Sequence, residues 1–242
     1  MSGKGEQLSQ TFGCSRVDEQ EREKKIRAVF KAVAPRYDLM NDMMSFGIHR
    51  LWKRRLVNMV APQTGEVVVD LAGGTGDIAE KMAAKGRSII VIDPSKEMMA
   101  EGERRGIKGV EFRVGTGESI PLSDQSVDRL TISFGIRNMT NMGQALREIN
   151  RVLKPGGKMY CLEFSRPHWL IKPLYDLHSF YLIPRLGAWI AKAPIAYNYL
   201  VESIRRFPDQ KEMKGLMEEA GFTNVSYRNL TFGIAAIHIG EK

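Results

Sequence analysis

Val67-Val68-Val69-Asp70-Leu71-Ala72-Gly73-Gly74-Thr75-Gly76-Asp77 decides the fold. An apolar run over 67–71 reads as a buried strand, passes into glycines and then enters a helical stretch, DIAEKMAAK. Glycine lets the main chain approach a ligand where a Cβ would clash. The spacing is not G-x-G-x-x-G, and Asp77 at the helix start would repel a pyrophosphate drawn to that positive end. A zwitterionic ligand without phosphates fits the turn better.

Outward from this turn the strand–helix rhythm continues. SIIVID (88–93), VEFRVG (110–115), VDRLTISF (127–134) and KMYCLEF (158–164) read as strands. Helices are expected from Ser95 to about residue 105 and over 143–153, and Lys154-Pro155-Gly156-Gly157 reads as a turn. A helix over 209–220 and strands over 223–229 and 234–239 close the chain. Continuous apolar strands alternating with helices predict an α/β fold, a Rossmann-like, doubly wound, seven-stranded and mostly parallel sheet covered on both faces. Residues 1–20 are polar and are expected to be a mobile tail. Residues 21–242 form the single domain, with an N-terminal helical cap over 21–60 and an aromatic, basic helical insert over 165–205. Ser-Phe-Gly-Ile occurs at 45–48 after the first helix and at 133–136 at a strand end, so it is not read as a repeat.

The 242 residues are 43% hydrophobic, enough for a sizeable core. Two cysteines far apart argue against a zinc site or a disulfide framework and suit a reducing compartment. No apolar run reaches the roughly 18 residues of a membrane span, and the start lacks a secretory h-region, so a cytoplasmic protein is expected. The net charge of +8 favours anionic partners, nucleic acid and acidic lipid headgroups alike.

The D-x-A-G-G-T-G turn, the acidic end of strand two and the closing pair of strands resemble the class I S-adenosylmethionine-dependent methyltransferases over about residues 60–242. That resemblance implies an antiparallel C-terminal hairpin and S-adenosyl-L-methionine as methyl donor. Asp93 at the end of strand two then accepts from the ribose hydroxyls, although a turn or helix-cap role is equally open to a lone aspartate there. Further motifs are more specific. Tyr37-Asp38-Leu39-Met40-Asn41-Asp42 with Ser45-Phe46-Gly47-Ile48-His49-Arg50, Arg151-Val152-Leu153-Lys154-Pro155-Gly156-Gly157 with Leu162-Glu163-Phe164-Ser165, Ser133-Phe134-Gly135-Ile136-Arg137-Asn138 and the ending NLTFGIAAIHIG resemble the ubiquinone/menaquinone biosynthesis C-methyltransferases. The resemblance implies C-methylation of a polyprenylated quinol ring in menaquinone or ubiquinone biosynthesis, or both. It puts cofactor contacts at Gly74, Thr75, Gly76, Asp93, Thr116, Gly117 and Ser133. Relatives often carry Asn-Ala or Asp-Ala where Thr116-Gly117 stands, so adenine recognition here would rest more on main-chain groups.

A ring carbon becomes strongly nucleophilic when an adjacent phenol ionises, and a phenol titrates near 10. A fixed cation beside the oxygen stabilises the phenolate. Arg137, just past strand four, suits that role, since arginine stays protonated and cannot act as the base. Water oriented by Asn138 or Tyr37 would take the proton. The bland alternatives are a carboxylate-paired arginine and a core tyrosine. The histidines are scattered and read as structural, no metal constellation appears, and SFGIRN stands where nitrogen methyltransferases carry Asn/Asp-Pro-Pro-Tyr/Phe.

HRLWKRRL and the insert HWLIKPLYDLHSFYLIPRLGAWIA combine aromatic and basic residues, as interfacial helices do, while a helical lid packed on the core is the alternative. A polyprenyl quinol substrate is expected, with peripheral contact at the inner face of the cytoplasmic membrane, other quinone-biosynthesis enzymes and a homodimer left open. No nucleic-acid partner is expected. The competing function is methylation of another hydrophobic small molecule.

Overall fold

Runs of valine and isoleucine, whose branched side chains suit a pleated sheet covered on both faces, form the central strands β3 (Val67–Leu71) and β4 (Ser88–Asp93). The computed structural model describes residues 11–12, 15–33, 42, 45–83, 86–177 and 194–242. Among these, a small hairpin of β1 (Thr11–Phe12) and β2 (Ser15–Arg16) precedes α1 (Glu19–Val33) and α2 (Ile48–Val60). Strands β5 (Val110–Val114), β6 (Val127–Ser133), β7 (Leu153–Phe164), β8 (Thr223–Leu230) and β9 (Ala235–Glu241) complete a sheet of order β5-β4-β3-β6-β7-β9-β8. The strands from β5 to β7 in that order run parallel, and β9 is antiparallel to both β7 and β8. The doubly wound sheet with an antiparallel C-terminal pair is therefore as the sequence predicts.

Helices α3 (Asp77–Met82), α4 (Lys96–Arg104), α5 (Met142–Val152), α6 (Lys172–Leu177), α7 (Pro194–Arg206) and α8 (Gln210–Glu219) connect the strands. Helix α5 shows why one face is buried. Asn141 caps its N-terminus by accepting from the Gln144 N–H, and Met142, Ala145, Leu146, Ile149 and Val152 recur on one stripe. That stripe packs with Leu130, Ile132, Met159 and Cys161. On the other face, Trp52, Leu56 and Val60 of α2 and Ile78 and Met82 of α3 cover Val68, Ile89, Val91 and Leu162. Each such side chain contributes about 1.5–3 kcal/mol by leaving water. Among the described residues, no helix is long and apolar enough to cross a membrane.

One local difference concerns Lys154–Gly157. The sequence places a turn there before a strand at 158, whereas β7 already starts at Leu153. Its register with β6 steps from Val127↔Leu153 to Arg129↔Lys158, so the turn bulges out of a longer strand. Gly156 takes a left-handed φ of 79° there and donates its N–H to the Lys242 carbonyl.

The described part of the polar start is in contact with the body of the protein. The Phe12 ring stacks on Tyr199 at 4.6 Å, and Val17 is buried. Chain order reverses across β3 and β6, and at such a switch point a crevice opens beyond the carboxyl ends of the strands.

Candidate active site

A cleft of about 610 Å³ lies at that switch point. Its floor follows from strand register. Asp70 pairs with Thr131 across β3 and β6, which lets the Thr131 hydroxyl donate to Asp70 Oδ1 at 2.8 Å. Among the described residues Asp70 Oδ2 has no partner, and burial pushes the carboxyl up to about 7 despite Thr131 and the charge of Lys53. A Cβ on Gly73 would stand 2.7 Å from that oxygen, which explains a glycine here by space alone.

Asp93 ends β4 and fastens the turn. Its Oδ2 accepts from the Gly74 N–H at 2.9 Å and its Oδ1 from the Ser95 N–H at 2.8 Å. Burial raises its pKa, and the two N–H bonds only partly offset this. The turn role and a ligand role therefore coincide, because Asp93 also lines the cleft. Asp77 is compensated locally. Burial pushes its carboxyl up, but Lys53, at 2.8 Å from α2, and Lys81 outweigh this and hold it at about 2.

Gly74, Thr75, Asp93, Thr116, Gly117, Ser133 and Asn138 of the predicted site all line this cleft. Gly76 stands behind it, capping α3 at φ 81° with its α-carbon turned toward Phe112. The Met139 thioether fills the space beside Gly117, 2.5 Å from where a Cβ would be, so an alanine there would displace it. Two buried oxygens facing one cleft, Asp70 Oδ2 and Ser133 Oγ, lack a partner among the described residues. With Asp93 nearby, this donor-hungry and acidic set fits a ligand carrying hydroxyls and a cationic centre.

The opposite wall is a side-chain network on the 3₁₀ turn Ile136–Asn138. Arg137 Nη1 donates to Glu163 Oε1 at 2.6 Å and to the Phe134 carbonyl at 2.8 Å, and both charged residues are buried. This is the carboxylate-paired arrangement, and the guanidinium stands behind the cleft wall, its carbon 5.5 Å from the Phe164 ring centroid. Burial raises the Glu163 pKa, opposed by the Arg137 charge. Asn138 Oδ1 accepts from the Tyr199 hydroxyl at 3.0 Å. Arg22 of α1 donates to the carbonyls of Met139 at 2.7 Å and Arg137 at 3.2 Å, clamping α1 across the turn. Tyr37 lies outside the described residues, as do 178–193 of the insert. Trp52 turns inward, its Nε1 donating to Thr231 Oγ1 at 2.8 Å, and packs with Phe134 and Phe164. Residues that sequence reading did not assign, Lys53, Glu163, Tyr199 and Arg22, act through partners distant in the chain. Glu163 and Lys53 stand inside quoted stretches, but nothing in either stretch signals the partner.

Glycine turn, acidic strand ends and closing antiparallel pair define a class I methyltransferase. The profile of the ubiE/COQ5 methyltransferase family matches residues 18–242, and the chain belongs to that family. It is 62% identical over 97% of its length, and 94% of the other chain, to a protein of Rubrivivax gelatinosus named ubiquinone/menaquinone biosynthesis C-methyltransferase UbiE. A protein of the same name from Acidiphilium cryptum is 49% identical, covering 96% of each chain. Among solved structures, a Thermotoga maritima S-adenosylmethionine-dependent methyltransferase, described as a possible histamine N-methyltransferase, superposes with a TM-score of 0.66 at 21% identity, over 90% of this chain and 99% of that one. Haemonchus contortus phosphoethanolamine N-methyltransferase 2, in complex with S-adenosyl-L-methionine, does so at 0.58 and 14%, over 79% and 52%. These two likenesses concern the fold.

Proposed function

We propose that this chain, an S-adenosylmethionine-dependent C-methyltransferase, methylates a ring carbon of a polyprenylated quinol in menaquinone biosynthesis, ubiquinone biosynthesis or both. The near-full-length match to the Rubrivivax gelatinosus C-methyltransferase carries this reading. The cleft agrees with it, since Asp70, Asp93 and Ser133 offer acceptors to a cationic, hydroxyl-bearing cofactor. Bound S-adenosylmethionine supplies an electrophilic methyl group on a sulfonium sulfur.

The chain's own residues then prepare the acceptor. Asp93 and Thr75 hold the donor side, with Gly74 and Gly76 shaping the turn and Thr116 and Gly117 bounding the adenine end. The Arg137–Glu163 pair lies behind Phe134 and Asn138; its guanidinium favours ionisation of the quinol hydroxyl, while the Glu163 carboxylate, whose pKa burial raises, opposes it. The amide of Asn138, held by Tyr199, orients the water that takes the hydroxyl proton as the quinol ionises, and the proton later displaced from the methylated ring carbon returns to the phenolate oxygen. A reversible contact with the inner face of the cytoplasmic membrane belongs to the same reading, because a polyprenyl tail resides in the bilayer.

Purified chain given a panel of demethylated quinols, sterols and simple phenols should methylate ring carbon of the quinols, read by mass spectrometry of the product. Methylation at oxygen, or preference for a sterol, would replace the quinol by another hydrophobic acceptor.

A further inference from the structure

Thr231-Phe232-Gly233-Ile234 is a third copy of the Ser-Phe-Gly-Ile pattern, with threonine for serine. The phenylalanine of all three copies is left-handed, with φ of 49° at Phe46, 57° at Phe134 and 55° at Phe232. Such a backbone costs a bulky residue about 1–2 kcal/mol. Phe134 gains packing against Phe164 at 4.8 Å and Trp52 at 6.2 Å. Phe232 is 73% exposed, so little packing within the chain offsets its strain.

Phe232 does not stand alone. The Phe232 carbonyl accepts from the His168 N–H at 2.8 Å, which sets Trp169 and Leu170, 71% and 64% exposed, beside it. Trp52 Nε1 donates to Thr231, which fixes α2 against this turn, and Leu51, the preceding residue of that helix, is 60% exposed. Three segments far apart in sequence thus present large apolar side chains together. On the outer face of α2, Arg54 and Arg55 follow Leu51 by three and four residues, so they flank it, and both are exposed. Lys172 is exposed close to Leu170. Inward, Trp52, Phe134 and Phe164 connect the rim to the cleft, which Phe134 lines.

We propose that this rim is the surface by which the chain seats on an anionic bilayer, with Leu51, Trp169, Leu170 and Phe232 entering the interfacial layer and Arg54 and Arg55 on the headgroups. Aromatic and aliphatic side chains collared by arginine match the two-part chemistry of that layer. A second copy is disfavoured, because a self-contact through this rim would bring two sets of arginines of one sign into a single interface. Nucleic acid would gain nothing from the aliphatic side chains. The inference rests on the polyprenylated acceptor proposed above and adds where on the molecule that acceptor's membrane is met.

The test uses the full chain with phosphatidylcholine vesicles, with and without phosphatidylglycerol, at low salt. The wild type should cosediment with the anionic vesicles. Trp169→Ala with Phe232→Ala should weaken partitioning about tenfold, and Arg54→Gln with Arg55→Gln should weaken it several-fold and lessen its salt dependence. All four side chains are exposed, so the melting temperature should hold, and methylation of a short-chain, water-soluble quinol should be unchanged while that of a vesicle-borne polyprenyl quinol falls. Equal partitioning of wild type and variants would overturn the proposal. So would a dimer that the apolar variant dissociates with no change in vesicle binding. A wild type that binds vesicles through this rim yet leaves the short-chain quinol unmethylated would sink the catalytic reading and leave the surface standing.

Discussion

The two walls of the cleft are built by opposite means. The wall proposed above to hold the methyl donor, the donor wall, is mostly main chain. Asp93 holds the glycine turn through the N–H groups of Gly74 and Ser95, and space beside Asp70 dictates Gly73. The wall proposed to face the methyl acceptor, the acceptor wall, is mostly side chain, where Arg137 pairs with Glu163, Arg22 holds the turn's carbonyls and Tyr199 holds Asn138. A main-chain cradle tolerates change in one side chain and keeps its shape. A buried ionic network does not, because removing one member leaves the other desolvated and unpaired.

The largest expected effect therefore falls on the acceptor wall. Arg137→Ala should lower turnover at least about tenfold while cofactor affinity stays within a factor of a few. It should also cost about 3–5 kcal/mol of stability by stranding the Glu163 carboxylate. The loss has a pH signature. Burial already raises the Glu163 pKa, and without Arg137 it rises further. The folded state then retains a proton that the unfolded chain has lost above its ordinary 4.5, so stability falls as pH rises through that window. Urea melts at pH 5 and pH 8 together with single-turnover rates measure both effects. Unchanged turnover would remove Arg137 from the chemistry and leave it a structural pair.

On the donor wall, Asp93→Asn should preserve the turn's shape, since an amide oxygen can still accept one N–H, and yet weaken cofactor binding. Hydrogen bonds to a charged acceptor contribute about 1.5–3 kcal/mol, so a ten- to hundredfold rise in the cofactor dissociation constant is expected. Turnover at saturating cofactor should change little. If turnover fell and affinity did not, the contrast between the walls would collapse, because the donor wall would be shaping the transition state.

The same contrast explains what could be seen in the sequence. Strand order, the glycine turn and Asp93 are local or periodic features, and Val67–Leu71 with its glycines announces them within a dozen residues. Sites lining the cleft, from Gly74 to Asn138, were legible through motifs at strand ends. The pairings were not. Nothing in the spacing of Arg22, Lys53, Glu163 or Tyr199 says that folding brings them to Met139, Asp77, Arg137 and Asn138, because those contacts depend on crossovers and helix packing. Trp52 shows the converse. Its basic surroundings suggest an interface, but α2 turns that edge inward and gives the outward place to Leu51.

The smallest expected effect concerns Asp70, which belongs to the donor wall by position and to the acceptor wall by its buried charge. Burial pushes its carboxyl to about 7, with the Thr131 hydroxyl and Lys53 pulling it down and Asp77 pushing it up. The folded state thus holds a proton between the ordinary 3.8 and about 7, and this carboxyl costs increasing stability as pH rises across that range. A cationic ligand near the unpartnered Oδ2 favours the charged form, so binding at pH 6 should release part of one proton and binding at pH 8.5 essentially none. Cofactor affinity should accordingly rise several-fold from pH 6 to pH 8. Titration calorimetry in buffers of different ionisation enthalpy reads the proton directly. Asp70→Asn should abolish both the release and the pH dependence. Proton uptake instead of release would mean that the ligand's cation lies away from Asp70, and the donor wall would then hold its ligand by the turn and Asp93 alone.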